Sequence, residues 1–481
     1  MNNSRSSHHD SQQPTGRPDA ACSANPPRTG SQGLTRGQWL VLTAAFLGWM
    51  FDGVELGLFP LVARPALQEL LNVSGDAGVG NWNGIIAACF LLGAALGGLV
   101  FGWLGDRIGR VRAMVVSVLT YSVFTGLGCF ATSAWQLGAL RFIAALGMGG
   151  EWAVGVALVM ECWPERYRPR LAGAIGAAAN VGFLLIGVVA YFYPVTGDTW
   201  RYMMVVGASP AVLALFITFF VPESEKWKAS VQTATKTPII EIFTAGQRKR
   251  TILGIVFSAI PLIGTWAAVS GWIPLWAEQI QENESIRQRV ALVRTEIETG
   301  TGQPLEDPTL RKLLNEEQDD AVKSEAARAK AGIQIIMSIG AIVACYVAPL
   351  AGGRWGRRPA YFGLCLLSLL SCAFMFRTLH TFDLTFVISG LVVGGITSAF
   401  YGWLPLYLPE IFPTRIRATG QGLCFNFGRV LAAVGAIQMG VLVQLLGGNY
   451  ASAGGTITLI YGLGLILIWL APETKGKPLP E

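Results

Sequence analysis

The nine-residue loop Gly102-Trp-Leu-Gly-Asp106-Arg107-Ile-Gly109-Arg110 returns in degraded form about half a chain later, as Pro349-Leu-Ala-Gly-Gly353-Arg354-Trp-Gly356-Arg357-Arg358. Each copy follows one long apolar run and precedes another. Matching loops at matching places in two halves mean an internal duplication, and the flanking runs place that duplication in a bilayer. Twelve candidate spans follow, near 38–60, 82–104, 112–131, 136–160, 171–193, 201–221, 251–275, 331–352, 359–377, 384–407, 419–445 and 455–471. Each is roughly 20 residues long, enough to cross a hydrocarbon core of about 30 Å. The chain therefore reads as an all-α membrane protein, twelve transmembrane helices in two pseudo-symmetric six-helix halves.

Composition agrees. Only 14% of residues are charged, against about 25% in soluble proteins. The net charge of +6 has its source in basic loops between spans, so it argues for a lipid bilayer as partner and against nucleic acid. Eight scattered cysteines with no CxxC pattern indicate neither a disulfide framework nor a metal site. The only histidines are 8, 9 and 380. No metal-spaced His cluster, nucleophile elbow or phosphate-cradling loop appears, so the chain does not read as an enzyme.

Residues 1–36 form a polar tail without the apolar core of a signal peptide, and His8 and His9 lie in it. The first six-helix half covers 37–221. A charged linker covers 222–250, the second half covers 251–472, and a short tail covers 473–481. Lys and Arg crowd one set of loops, while the alternate short loops hold a single Arg64, so both termini and the linker are expected in the cytoplasm. Residues 277–330 break the pattern of short outer loops, with twelve acidic against eight basic residues. Ile286, Val290, Val293 and Ile297 carry a helical period, and Gly300-Thr-Gly302-Gln-Pro304 marks a turn. The expectation is an external helical hairpin, a solvated spacer or else a lid or partner surface. Asn72-Val-Ser74 is a glycosylation sequon in an outer loop.

Charges inside spans cost about 3 kcal/mol each on insertion scales and survive where they have a partner or a water path. Asp52 and Glu55 lie three apart on span 1 and share a helix face. Asp52 lies about 21 Å into the span at 1.5 Å per residue, at a depth that matches Arg141 on span 4. A carboxylate–Arg141 pair is expected, either as a proton switch or as a static ion pair. Glu151, after Gly147, Gly149 and Gly150, is either a second proton site or a brace for the cytoplasmic gate. Glu161, at the membrane edge beside Arg166 and Arg168, reads as a gate salt bridge. Arg429 falls near the midplane of span 11 with Asn426 one turn before it. A guanidinium and an amide suit a carboxylate, which Arg grips with two parallel hydrogen bonds. The alternative partner for Arg429 is Asp52 or Glu151. Asn180, Trp266, Ser270 and Tyr401 are candidate cavity-lining residues, and Trp272 and Trp276 candidate interfacial belt.

The loop at 102–110 resembles that of the major facilitator superfamily, and so do five further landmarks in order. They are Arg141 through Gly147-Met-Gly-Gly-Glu151-Trp152, Glu161-Cys-Trp-Pro-Glu165, Pro222-Glu223-Ser224, Pro409-Glu410-Ile-Phe-Pro-Thr-Arg415 and Pro472-Glu473-Thr-Lys-Gly476. The resemblance covers about residues 38–479. Gly-Gly-Glu-Trp, Phe425-Asn426-Phe427-Gly428-Arg429 and the end Glu473 to Pro480 are most similar to the sialate and lactate/pyruvate proton symporters. Asp52-Gly-Val-Glu55-Leu is similar to the aromatic-acid branch, and the Pro-Glu motifs are shared with sugar porters. An acid on span 1 with an Arg on span 4 also resembles the last two branches.

The resemblance implies alternating-access symport of a small organic anion, a monocarboxylate such as lactate or pyruvate or a sugar acid such as sialate. The coupling ion would be a proton, with no other cofactor, in a monomer of the bacterial inner membrane. A neutral sugar or aromatic-acid proton symporter is the near alternative, and a non-transporting sensor the distant one. Asp52, Glu55, Arg141 and Glu151 would couple protons. Arg429, Asn426, Asn180, Trp266 and Tyr401 would bind substrate. Gly102, Asp106, Arg107, Gly109, Arg110, Glu161, Arg166, Arg168, Glu223, Arg354, Gly356, Arg357, Glu410, Arg415 and Glu473 would form the gate loops. Gly353 replaces the loop Asp in the second copy, so the latch between halves would be asymmetric, carried mainly by Asp106.

Overall fold

The computed structural model describes residues 34–73, 78–193, 195, 199–225, 227–229, 239–301, 316–445 and 450–480. Among these the chain is helical, with no strand. The first six helices are α1 (Arg36–Leu71), α2 (Val79–Ile108), α3 (Arg110–Leu127), α4 (Ala134–Cys162), α5 (Arg168–Phe192) and α6, broken once within Trp200–Phe220. The second six begin with α7 (248–301), whose middle, Leu262–Ser270, widens into π-helical turns. They continue with α8 (Glu316–Trp355), α9 (Arg357–Thr378), α10 (Leu384–Ile411), α11 (Arg417–Leu445) and α12 (Ala451–Leu470). Ten of these are long and apolar enough to cross a membrane, and α7 and α11 occupy the two remaining expected positions.

Local chemistry sets the boundaries. Thr35 caps α1 in a reciprocal box with Gln38, which satisfies two donors left open by the first turn. Ser133 and Asp383 do the same singly for α4 and α10. Gly109 and Gly356 part α2 from α3 and α8 from α9 with φ of 111° and 109°, a region costly for any residue with a Cβ. That is the physical content of the repeated loop: the same backbone break in both halves.

Helices approach closely where side chains vanish. A Cβ on Gly53 of α1 would overlap the Ala179 backbone of α5, and one on Gly422 of α11 would overlap the Gly98 carbonyl of α2. The two six-helix sets meet along α2–α11 and α5–α8. Burial ranks the helices around that seam: 83% of the apolar window of α4 is buried and 33% of that of α12, so α4 is central and α12 faces outward.

Along 277–330, α7 runs out to Thr301 and α8 starts at Glu316. The two arms touch through Lys330–Glu278 at 3.1 Å and Ser285–Glu325 at 3.0 Å. Residues 302–315, most of the tail 1–36 with His8 and His9, and Ser74 of the sequon lie outside the described residues.

Candidate functional site

Among the described residues, and away from the basic end, Asp52, Glu55, Arg141, Glu151 and Arg429 sit inside the bundle with 5% exposure or less. Their pairing is decided by helix geometry. Glu55, not Asp52, holds Arg141, and its Oε1 also accepts from Thr125 of α3 at 2.7 Å. The Arg141 guanidinium lies between the rings of Phe59 and Phe90, 4.8 and 4.6 Å from their centroids. Salt bridge, hydroxyl and two rings together pin this pair.

Asp52 of α1 is left near Glu151 of α4 and near Arg429 of α11. Neither carboxylate receives a protein hydrogen bond. Arg429 leaves Nη1 without a partner and lies 5.6 Å from the Phe425 ring.

Arg429 also lines a cavity of about 40 Å³ between the halves. Trp49, Phe183, Tyr401 and Phe425 supply aromatic walls, and Asn180, Ser270 and Ser398 supply polar atoms. The Tyr401 hydroxyl has no partner. Asn180 donates to Gly176 O and Cys345 Sγ, both at 3.4 Å. The π-helical turns of α7 contribute Leu262 and Ser270 at their two ends, in keeping with the frequent use of such turns at functional sites. Ligand-filled pockets run to a few hundred cubic ångströms, so this conformation holds the cavity closed down.

The end of the bundle carrying the basic loops is sealed. Asp106 Oδ2 on α2 accepts from Thr419 N at 2.8 Å and from its hydroxyl, across the seam on α11. Arg110 donates to Asp106, to Glu161 at 3.1 Å and to Thr414 O at 3.2 Å. Glu161 also takes Arg417 at 3.2 Å and the Ser224 hydroxyl at 2.6 Å. Glu223 caps α3 through Arg110 N and Val111 N at 3.0 and 3.1 Å. Burial pushes its carboxyl above the ordinary range, and these donors only partly offset that.

The second half repeats the cap: Glu473 accepts from Arg357 N and Arg358 N at 3.0 and 3.2 Å. Burial acts upward on this carboxyl too, but its four backbone donors prevail and hold it below the ordinary value. Arg357 grips Glu410 with two hydrogen bonds, 3.0 and 2.7 Å. Gly102 packs on the Ala418 backbone. Arg107 stacks on Trp103 and Arg166 on Tyr167. Arg168 pairs with Glu165 and Arg415 with Glu241. The Arg354 carbonyl accepts from Lys475 at 2.8 Å.

Residues 39–292 match the family described as Major Facilitator Superfamily, and residues 309–476 match Sugar (and other) transporter. The chain belongs to the major facilitator superfamily. Its relatives include the cis,cis-muconate transport protein of Acinetobacter baylyi, 28% identical over 89% of this chain and 90% of that one. The sialic acid transporter NanX of Escherichia coli is 24% identical over 91% and 94%. Among solved structures, the proton:xylose symporter XylE bound to 6-bromo-6-deoxy-D-glucose shares the fold. Its TM-score is 0.68 at 17% identity, over 92% of this chain and 98% of that one. This is a multi-pass membrane transporter.

Within this superfamily member several expectations need correcting. Asn426 does not line the cavity; its amide donates to Gly149 O at 2.8 Å and Gly422 O at 3.0 Å, holding α11 to α4. Trp272 and Trp276 are buried, not interfacial; Trp276 packs 5.0 Å from Phe386 because that face of α7 turns inward. Glu161 bridges to Arg110 and Arg417, not to Arg166 or Arg168. Glu151 lies beside Asp52 and takes no part in the ion network of the basic end. The side chain of Trp266 lies outside the described residues.

Sequence reasoning missed Tyr121, whose buried hydroxyl stands beside Glu151. It also missed Thr419, the partner of Asp106. A lone Tyr within an apolar span was the available signal for the first; the second gave none.

Proposed function

We propose that this transporter carries a small organic anion together with a proton, by alternating exposure of the central cavity to the two sides of a bacterial inner membrane. The basic end, with its Lys/Arg-rich loops, is the cytoplasmic end. A monocarboxylate such as lactate or pyruvate, or a sugar acid such as sialate, is the cargo class.

One observation carries this reading: Arg429 is buried, lines the cavity and leaves a guanidinium nitrogen without a protein partner. A desolvated guanidinium with an open donor, beside the free Tyr401 hydroxyl, favours a carboxylate over a neutral solute. The relatives add support, since muconate and sialic acid, the cargoes in their names, are both organic anions. Protons enter through the buried carboxylates, which offset the charge of the cargo during reorientation.

Substituting Arg429→Gln tests it. A charge-assisted hydrogen bond contributes about 1.5–3 kcal/mol, so apparent affinity for the transported carboxylate falls about 10- to 100-fold. Unchanged uptake of every carboxylate rejects the assignment. The rival is proton symport of a neutral sugar, favoured by the family match over 309–476. Glucose uptake without any preference for carboxylates would support it.

A further inference from the structure

Asn180 of α5 lines the cavity with an amide whose two ends are not interchangeable. Its Nδ2 donates to Gly176 O, one turn back on its own helix, and to Cys345 Sγ of α8, both at 3.4 Å. The Cys345 thiol donates in turn to Ser398 O of α10 at 2.9 Å. That carbonyl is open to the thiol because the ladder of α10 is interrupted at Ala399, where Gly402 N bonds Ala399 O at 3.1 Å. With its proton directed at Ser398 O, the sulfur is left as an acceptor. An amide oxygen set against that sulfur and against Gly176 O would find no donor, so the amide nitrogen takes both places. Both N–H bonds of Asn180 are thus used inside the wall. Its Oδ1 has no protein partner among the described residues, and this oxygen is what the side chain offers to the cavity.

The other polar groups of the wall lack this fixed sense. Ser270, Ser398 and Tyr401 carry hydroxyls, which donate or accept by rotating. Arg429 and the indole nitrogen of Trp49 only donate. Among the described side chains lining the cavity, Asn180 alone is held as an acceptor.

We propose that Asn180, set by Cys345, is a specificity-determining residue that selects a cargo with a hydroxyl donor as well as a carboxylate: a hydroxy acid such as lactate over the oxo acid pyruvate. The proposal rests on the anion reading above, in which Arg429 takes the carboxylate, and it narrows the cargo class.

Arg429 and Asn180 divide the recognition. In a cavity of about 40 Å³, a cargo on Arg429 also meets Asn180. A cargo hydroxyl donates to Oδ1. A ketone oxygen in the same place sets two acceptors against each other, with no proton between them. A site built around a substrate hydroxyl rejects the analogue without it strongly, because the buried acceptor is left unpaired. Lactate and pyruvate share a carbon skeleton and a charge and differ in this one group. Cys345 touches no cargo; it is a positioning residue that acts through Asn180. The bonds that set the amide run from α5 of the first half to α8 and α10 of the second, so the acceptor is fixed by both halves together.

The test compares counterflow of labelled lactate and labelled pyruvate by the full chain in proteoliposomes. The wild type is expected to show a KM about tenfold or more lower for lactate. Asn180→Ala removes the acceptor, raises the KM for lactate and brings the two acids within about twofold. Cys345→Ala frees the amide to turn and present Nδ2, so the KM for pyruvate falls, that for lactate rises, and kcat for either changes little. Cys345→Ser keeps an acceptor for Asn180 and a donor for Ser398 O, and it retains the wild-type preference. A thiol that served packing alone would shift both acids alike.

Equal KM values for the two acids in the wild type overturn the proposal without any variant; if Arg429→Gln still weakens transport of both, the anion reading stands. A folded Cys345→Ala protein with the wild-type ratio also overturns it. A wild type that exchanges neither acid contradicts the monocarboxylate reading, and this proposal falls with it.

Discussion

Glu161 on α4 and Arg417 at the start of α11 meet at 3.2 Å with neither side chain exposed, and they belong to opposite halves of the bundle. Their bond can exist only while the basic end is shut, so it stabilises that conformation alone. Arg417→Gln leaves Glu161 with Arg110 and removes one charged hydrogen bond, a loss of about 1.5–3 kcal/mol. The open form gains by about 10- to 100-fold. Alkylation of a Ser270→Cys thiol from the basic side should speed up accordingly; an unchanged rate would show that the pair is not part of the seal.

Arg141→Gln strands Glu55 in the interior. Removing one partner of a buried pair costs about 3–5 kcal/mol, so the melting temperature in detergent falls by several degrees. Arg141→Lys restores little, because an ammonium cannot stack between Phe59 and Phe90 as a guanidinium does. Glu55→Gln combined with Arg141→Met should recover most of the lost stability. A double variant as unstable as the single one would contradict the pairing.

The two copies of the repeated loop are unequal. Asp106 accepts from Thr419 across the seam, whereas a Cβ at Gly353 would meet only Pro169, at 3.1 Å. Asp106→Asn is therefore expected to reduce transport at least about tenfold, the weight of one charged hydrogen bond. Gly353→Ala should stay within about twofold, in the range of a tolerated small change. Rates in proteoliposomes decide; equal losses would remove the asymmetry.

Glu473 has its carboxyl held below the ordinary value by backbone donors, so its contribution to stability is present above the unfolded-state value and disappears as pH falls through the lowered one. The stability difference between wild type and Glu473→Gln should be full at neutral pH and shrink as pH drops below the ordinary glutamate range. A difference that grows on acidification would contradict the capping role. Exposure and screening keep the effect small.

What was legible in the sequence was local or periodic. Long apolar runs marked the spans, and Gly109 and Gly356 broke helices where the repeat put them, because a backbone at φ near 110° needs no partner to explain it. Pairings between distant helices were not legible. Asp52 and Glu55 share a face, so nothing in the spacing chose which would meet Arg141; the rotation of α4 against α1 chose Glu55. Glu161 was read with its sequence neighbours, while its partner Arg417 is 256 residues away. Asn426 lies near Arg429 in sequence, yet the tight fit of α11 on α2 and α4 commits its amide to Gly149. Trp272 and Trp276 stand near a span end, where belts are expected, but the inward face of α7 buries them.

The measurement that bears most directly on proton-coupled anion symport is uptake of labelled lactate, sialic acid, 4-hydroxybenzoate and glucose into proteoliposomes, with and without an inward proton gradient. The account predicts gradient-driven accumulation of at least one acid, none of glucose, and loss of the acid uptake in Arg429→Gln. Accumulation of glucose in preference to every acid, or acid uptake indifferent to the gradient, would contradict it.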